Sequence, residues 1–238
     1  NRGSINMAQS KNNASSNIVY ECLKKDILNL KLAPGCAISE TDMASKYNVS
    51  RTPVRDAFKA LAQEGLLEVK PHIGTFVSLI DINQISDVLY IRKVIEQSIL
   101  KDLCSSFCEA DTLKLEFSLN NQKQLLNNDN SCDDIASQFI KYDNNFHKLI
   151  FRIAGKESIW DMIFGLNQHY ERFRALINLY GDNNIQNLYK EHCAIVKALN
   201  EKDYNTLKEH INKHIYDGFK NSSNIIMEHS HYFVNYHE

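Results

Sequence analysis

From Asn17 onward apolar residues recur every three or four positions, and Val19, Leu23, Ile27 and Leu30 fall on one side of a helix that Pro34-Gly35 must end. Cys36-Ala37-Ile38 leaves room for no more than a short strand. Ser39, with Asp42 three residues later, has the form of a capping box and opens a second helix through Tyr47. After the turn residues Asn48-Val49-Ser50, the residues Val54, Ala57, Phe58 and Leu61 set an i, i+3, i+4, i+7 stripe for a third helix. Pro53 is tolerated only in a first turn, so Ser50 or Thr52 is the expected N-cap. Two short helices around a tight turn read as a helix-turn-helix. Gly65 stops the third helix, and residues 66–70 and 75–79 flank Pro71-His72-Ile73-Gly74 as the arms of a hairpin, a wing.

Beyond residue 80 the pattern is helical throughout. Asp81 is placed to cap a long helix carrying Ile85, Val88, Leu89, Ile95, Ile99 and Leu103. Further helices are expected at about 111–127, 133–154, 157–179, 185–199 and 204–228, with breaks at 128–130, at Gly155, at 181–184 and from Asn200 to Asp203. The fold class is mainly α: a winged helix-turn-helix over 17–80, then an all-α antiparallel bundle over 81–228. Residues 1–16 are polar and expected to be disordered, with 229–238 a surface tail. Asn1–Asn6 precede the first methionine, Met7, as a cloning remnant does.

Composition narrows the class. Apolar residues are 43% and charged residues 24% of the 238, a globular balance rather than a disordered or fibrous one. With only 3 prolines and 8 glycines, most of them early, the later helices can run uninterrupted. No apolar run reaches a membrane span and no signal peptide is evident, so the expectation is a cytoplasmic protein without a membrane partner. The six cysteines include no CxxC pair. Cys104 and Cys108, one turn apart, suit either a soft metal or, more commonly, plain burial. The net charge of −2 divides into +2 over residues 11–80 and −5 over 81–238, which concentrates basic character near the helix-turn-helix.

Arg51 and Arg55, four residues apart, project together from the polar side of the third helix. On an arbitrary helix they would be a solvated surface pair. At the start of the second helix of a helix-turn-helix they stand where base-reading residues are placed. A guanidinium fork bonds guanine O6 and N7, Ser50 and Thr52 can donate to phosphates, and the wing offers His72 and the Gly74 backbone. Residues 49–57, then Glu64-Gly65-Leu66-Leu67 and Gly74-Thr75-Phe76-Val77, resemble the GntR superfamily of bacterial regulators. The resemblance implies a homodimer on double-stranded operator DNA. Thr41 departs from it, where several relatives carry a DNA-touching arginine.

In the bundle, Asp143 and His147 stand at i, i+4, while His192 and His214 fall on two later helices. One carboxylate and three imidazoles suit Zn, Ni, Mn or Fe, although with nine histidines in the chain spacing alone favours ordinary core or surface roles. Residues 142–147, 191–203, 207 and 214–215 resemble the metal-binding FCD sensor domain of the FadR-type branch of the same superfamily. That resemblance implies that Asp143, His147, His192 and His214 hold a divalent transition metal, zinc ahead of the others. It also implies a small organic or sugar acid as effector, completing the coordination. Arg92 matches a recurrent arginine and either pairs with that acid or forms a salt bridge with Glu96, with Arg172 and Arg174 as further candidates.

The reading is therefore a regulator, a repressor more often than an activator, and not an enzyme. Two alternatives share its residues. A metal-dependent hydrolase would use the same site, but no general base stands beside the ligands. A DNA-binding dimer with a purely structural bundle would carry no metal.

Overall fold

The computed structural model describes residues 2–127, 132–181 and 185–234. The chain divides into two units, Asn1–Asp81 with His229–Glu238, and Ile82–Glu228. In the first, α1 spans Arg2–Leu28, α2 Glu40–Tyr47 and α3 Arg51–Gln63. Val19, Leu23 and Ile27 of α1 share one core with Val54, Ala57, Phe58 and Leu61 of α3, each buried aliphatic contributing about 1.5–3 kcal/mol.

The local signals act as their chemistry requires. Ser39 Oγ accepts from the Asp42 amide at 3.0 Å and donates to the Asp42 carboxylate at 2.7 Å. Asn48, at φ 52°, takes the left-handed position that ends α2, and Ser50 precedes α3 in extended backbone as its N-cap. At the other end of α3, Gly65 sits at φ 76° and donates to Ala62 O, while Leu66 donates to Leu61 O. This is a Schellman stop, and both leucines are buried in the same core. Strands β1 (Ala37–Ile38), β2 (Leu67–Lys70) and β3 (Gly74–Val77) form an antiparallel sheet in the order β1-β3-β2, with Lys70 opposite Gly74 at the wing tip.

Three expectations for this unit need correction. The segment 1–16, expected to be disordered, is helical from Arg2: beyond Gly3 it contains neither glycine nor proline, so nothing in it stops the helix. At its other end α1 stops at Leu28, and Leu30, expected on the helix, lies past it at φ 57°. The tail is not a loose surface extension either. Ile80 N donates to Tyr232 O at 2.8 Å, Val234 N donates to Ile80 O at 2.9 Å, and Phe233 is fully buried. An aromatic ring that leaves water this completely outweighs the polarity of the surrounding His229-Ser230-His231-Tyr232. Phe233→Ala is expected to destabilise this unit by about 3–5 kcal/mol in a denaturant melt, and an unchanged midpoint would show that the tail is only draped on it.

The second unit is helical over its described residues: α4 Ile82–Ser106, α5 Glu109–Leu126, α6 Cys132–Ile153, α7 Glu157–Gly165, α8 Gln168–Tyr180, α9 Ile185–Asn200, α10 Tyr204–Lys220 and α11 Ser223–Glu228. The helix expected over 157–179 is broken at Leu166-Asn167, just after Gly165, and that over 204–228 at Asn221-Ser222. Asp203 caps α10 by accepting from the Asn205 and Thr206 amides. The breaks expected at 128–130 and 182–184 lie outside the described residues. Among the described residues no helix is long and apolar enough to cross a membrane.

The buried stripe of α4 reads Ile85, Leu89, Arg92, Glu96, Ile99 and Leu103, so an arginine and a glutamate occupy positions where the helix period calls for apolar side chains. Ile95, expected on that stripe, is only half-buried. A charged pair inside a helix-packing face is costly without partners, and its partners lie in the site.

Candidate nucleic-acid interface and metal centre

Ser50, Arg51, Thr52 and Arg55 stand exposed on the first turns of α3, opposite its buried stripe. Glu40, the first residue of α2, joins the two arginines: Arg51 Nη2 lies 3.3 Å from its carboxylate, and Arg55 donates through Nε at 3.1 Å and Nη2 at 3.1 Å. The bonds from Arg55, and then those from Arg51, hold the Glu40 carboxyl below its ordinary range. Exposed pairs of this kind add little stability, but they hold two long side chains side by side on the outer face of α3. In the wing, His72 is exposed at φ 62°, and Gly74 at φ 151° takes a backbone shape that side chains disfavour.

The second cluster is buried. Asp143 and His147 of α6, His192 of α9 and His214 of α10 bring one ligand atom each to within 4.8 Å of one another. Each histidine lies on the buried face of its helix, His192 among Ile195, Val196 and Leu199, His214 beside Ile211 and Ile215. The Nε2 atoms of His147 and His192 are 3.0 and 3.2 Å from that of His214. Asp143 Oδ1 is 3.2, 3.6 and 3.9 Å from the Nε2 atoms of His192, His214 and His147 respectively.

The opposite ring nitrogens explain this convergence. His147 Nδ1 is 2.7 Å from Glu96 Oε2, His214 Nδ1 is 3.0 Å from Glu191 Oε2, and His192 Nδ1 is 2.8 Å from Gln122 Oε1. Carboxylate and amide oxygens accept, so Nδ1 carries a proton in all three rings, and the neutral His147 and His192 turn their Nε2 lone pairs inward. Arg174 Nη2 donates at 2.8 Å to Asp143 Oδ2, leaving Oδ1 for the histidines. Phe146 stacks on His192 at 4.2 Å and Trp160 on His147 at 5.9 Å, fixing the rings.

Such a cluster of acceptors is suited to a cation at its centre. Burial drives His192 down to about 3 and lowers His147, so both rings are neutral. Burial also opposes a charge on His214, but its bonds to Asp143 and Glu191 outweigh that and lift it to about 9. Burial would raise Asp143 and Glu96, yet Arg174 and the histidines hold Asp143 well below its usual range, and His147 with Arg92 holds Glu96 to about 2. Donors about 2.1 Å from one ion lie about 3.0–3.4 Å apart, the spacing of most of these contacts. The donor set fits a divalent transition metal.

A cavity of about 80 Å³ adjoins Asp143 and His214 and is also lined by Arg92, Arg174 and Tyr170. Of the three arginines singled out in the sequence, Arg92 donates through Nε to Glu96 at 2.9 Å, the expected salt bridge, while its buried Nη2 has no hydrogen-bond partner among the described residues. Arg174 is spent on Asp143, Asn144 and Glu171. Arg172 does not line the cavity: it is buried elsewhere in α8, 3.1 Å from His169 Nδ1. Glu96, Gln122 and Glu191 were not singled out as partners of the histidines. Cys104 is buried and Cys108 is exposed, its Sγ 3.1 Å from Asp111, and neither belongs to the metal cluster.

Residues 15–77 match the model of bacterial regulatory proteins of the gntR family, and residues 87–217 match the FCD domain. The chain is 30% identical over 215 residues to the HTH-type transcriptional repressor RspR of Escherichia coli, covering 90% of this chain and 92% of that protein. It is 32% identical over 197 residues to an uncharacterised HTH-type regulator in an unstable DNA locus of Streptomyces ambofaciens, covering 83% and 80%. In fold it is similar to E. coli McbR/YncC, with a TM-score of 0.63 at 19% identity over 90% of this chain and 98% of that one. A DNA-binding winged helix followed by an FCD domain, matched along nearly the whole of a named repressor, is the build of a regulator and not of an enzyme: the chain belongs to the GntR family of transcriptional regulators.

Proposed function

We propose that this protein is a repressor whose hold on its operator is set by a small carboxylic acid bound beside a metal in the helical unit. Arg51 and Arg55 read guanines in the major groove, Ser50 and Thr52 bond phosphates at the N-terminus of α3, and His72 and Gly74 bring the wing to the neighbouring backbone. Asp143, His147, His192 and His214 hold the metal, for which a set of three imidazoles and one carboxylate favours zinc over nickel, manganese or iron. When bound, such an ion supplies a Lewis-acidic centre for an acidic effector. Arg92 supplies the second anchor through its Nη2, which no described residue bonds, while Arg174 orients Asp143. The repressor sense follows the printed name of the E. coli relative. Tyr90 and Val94, exposed a turn apart on α4, support a homodimer built through the helical unit, acting on DNA in the cytoplasm.

The observation that carries this reading is an arginine that lines a cavity touching two of the four metal-site residues and keeps a buried guanidinium nitrogen with no hydrogen-bond partner among the described residues. The expected coupling is about 1–3 kcal/mol, or about 5- to 150-fold in operator affinity. A panel of short-chain and polyhydroxy carboxylic acids, titrated against the protein on a duplex selected from a random pool, is expected to yield at least one acid that shifts the binding midpoint. Arg92→Ala is expected to lose that response while keeping operator affinity without acid. A response that survives Arg92→Ala removes the arginine from the effector site.

A further inference from the structure

We infer that the effector is a monocarboxylic acid with a short hydrocarbon tail, rather than a dicarboxylate or a sugar acid. The inference rests on the proposed acid site and concerns the rest of the molecule bound there. The polar side chains that line the cavity are Asp143, His214, Arg92, Arg174 and Tyr170, with Asn178. Arg174 already holds Asp143 at 2.8 Å, Asn144 at 2.8 Å and Glu171 at 3.3 Å. That leaves Arg92, whose buried Nη2 has no hydrogen-bond partner among the described residues, as the lining arginine with a donor to spare for an incoming anion. One free guanidinium nitrogen next to one metal site receives one carboxylate. A second carboxylate would have to face the rest of the lining, which holds no further arginine or lysine among the described residues.

That remainder is apolar. Ile140, Phe173, Ile177, Ile185, Leu188 and Ile215, from four helices, make most of its wall. The other polar side chain there, Asn178, already has an interaction of its own. A hydroxyl carried into this end would lose its water and find no bond, costing about tenfold in affinity for each one left unsatisfied. A methylene gains instead, by about fourfold for each one buried until the space is filled. The cavity thus sorts acids by their tails, with the carboxylate common to all.

The test is calorimetric titration of the zinc-loaded full chain with acetate, butyrate and hexanoate, and with succinate and gluconate, metal content being measured in parallel. Affinity is expected to rise about fourfold per methylene along the fatty acids to a plateau, and gluconate is expected to bind at least about 100-fold more weakly than hexanoate. Ile177→Asn and Leu188→Asn, both at half-buried positions, are expected to weaken the longer acids at least about tenfold and to leave acetate binding and zinc content unchanged. Gluconate or succinate binding as tightly as hexanoate overturns the inference and leaves the proposed acid site standing. If no acid of any class binds the zinc-loaded protein, the acid site itself is wrong and the inference falls with it. Should an asparagine variant fail to fold, the acid series on the unaltered chain decides alone.

Discussion

Arg51→Ala and Arg55→Ala are each expected to weaken binding to a selected operator by about 1–3 kcal/mol, about 5- to 150-fold, and to relax preference at the guanine each one reads. The two arginines share Glu40, at 3.3 Å from Arg51 and 3.1 Å from Arg55, so their effects should not add as independent terms would. Both side chains are largely exposed and outside the core of Val54, Ala57, Phe58 and Leu61, so melting temperatures should move little. Binding isotherms on selected and scrambled duplexes at one fixed salt concentration make the measurement. Variants that lose equal affinity for both duplexes would reduce the arginines to phosphate contacts. Variants indistinguishable from the parent would place the reading face elsewhere.

Stripping the metal is expected to have a comparably large effect, on stability. A ligand at a thousand times its dissociation constant stabilises the folded state by about 4 kcal/mol, and a chain of this size melts about 2–4 °C lower per kcal/mol lost. Chelation of the purified protein should therefore lower the melting temperature by about 10 °C, and zinc should restore it. His192→Ala should melt near the chelated value, bind little metal and ignore the chelator, since it removes one of four ligands and strands Gln122, whose amide nitrogen already has no partner among the described residues. A melting temperature unmoved by chelation, with no metal in the protein as purified, would make the histidines purely structural.

The sequence carries these two sites unequally. The reading face is legible because its signals are local: Ser39, Asn48, Ser50 and Gly65 fix the ends of α2 and α3 within a few residues of themselves, and the apolar stripe of α3 then dictates which side Arg51 and Arg55 take. The metal ligands are half legible. Asp143 and His147 declare a shared helix face by their spacing, but His192 and His214 acquire meaning only through family resemblance. The partners of the histidines are the least legible, because Glu96 lies 51 residues from His147 and Gln122 lies 70 from His192. One usable sign was present: Arg92 and Glu96 interrupt the apolar stripe of α4, and charge at a buried helix position implies a partner. Gln122 gives no comparable sign.

The errors have physical sources too. Gly165 was available as a breaking point between α7 and α8, but the apolar pattern runs through it unbroken and hides the turn. The tail looked polar because four of its first five residues are, whereas one aromatic side chain, Phe233, decides where it packs. Arg172 and Arg174 are two residues apart on α8, and so cannot face the same way. Only Arg174 reaches the cavity.

The most direct measurement of the central claim is operator affinity in four states of one preparation: zinc-loaded or chelated, each with and without the most effective acid of the panel. A metal site that controls a DNA reader predicts that the acid moves the midpoint by about 5- to 150-fold in the zinc-loaded protein and not at all in the chelated one. Equal shifts in both, or no shift in either, would contradict it.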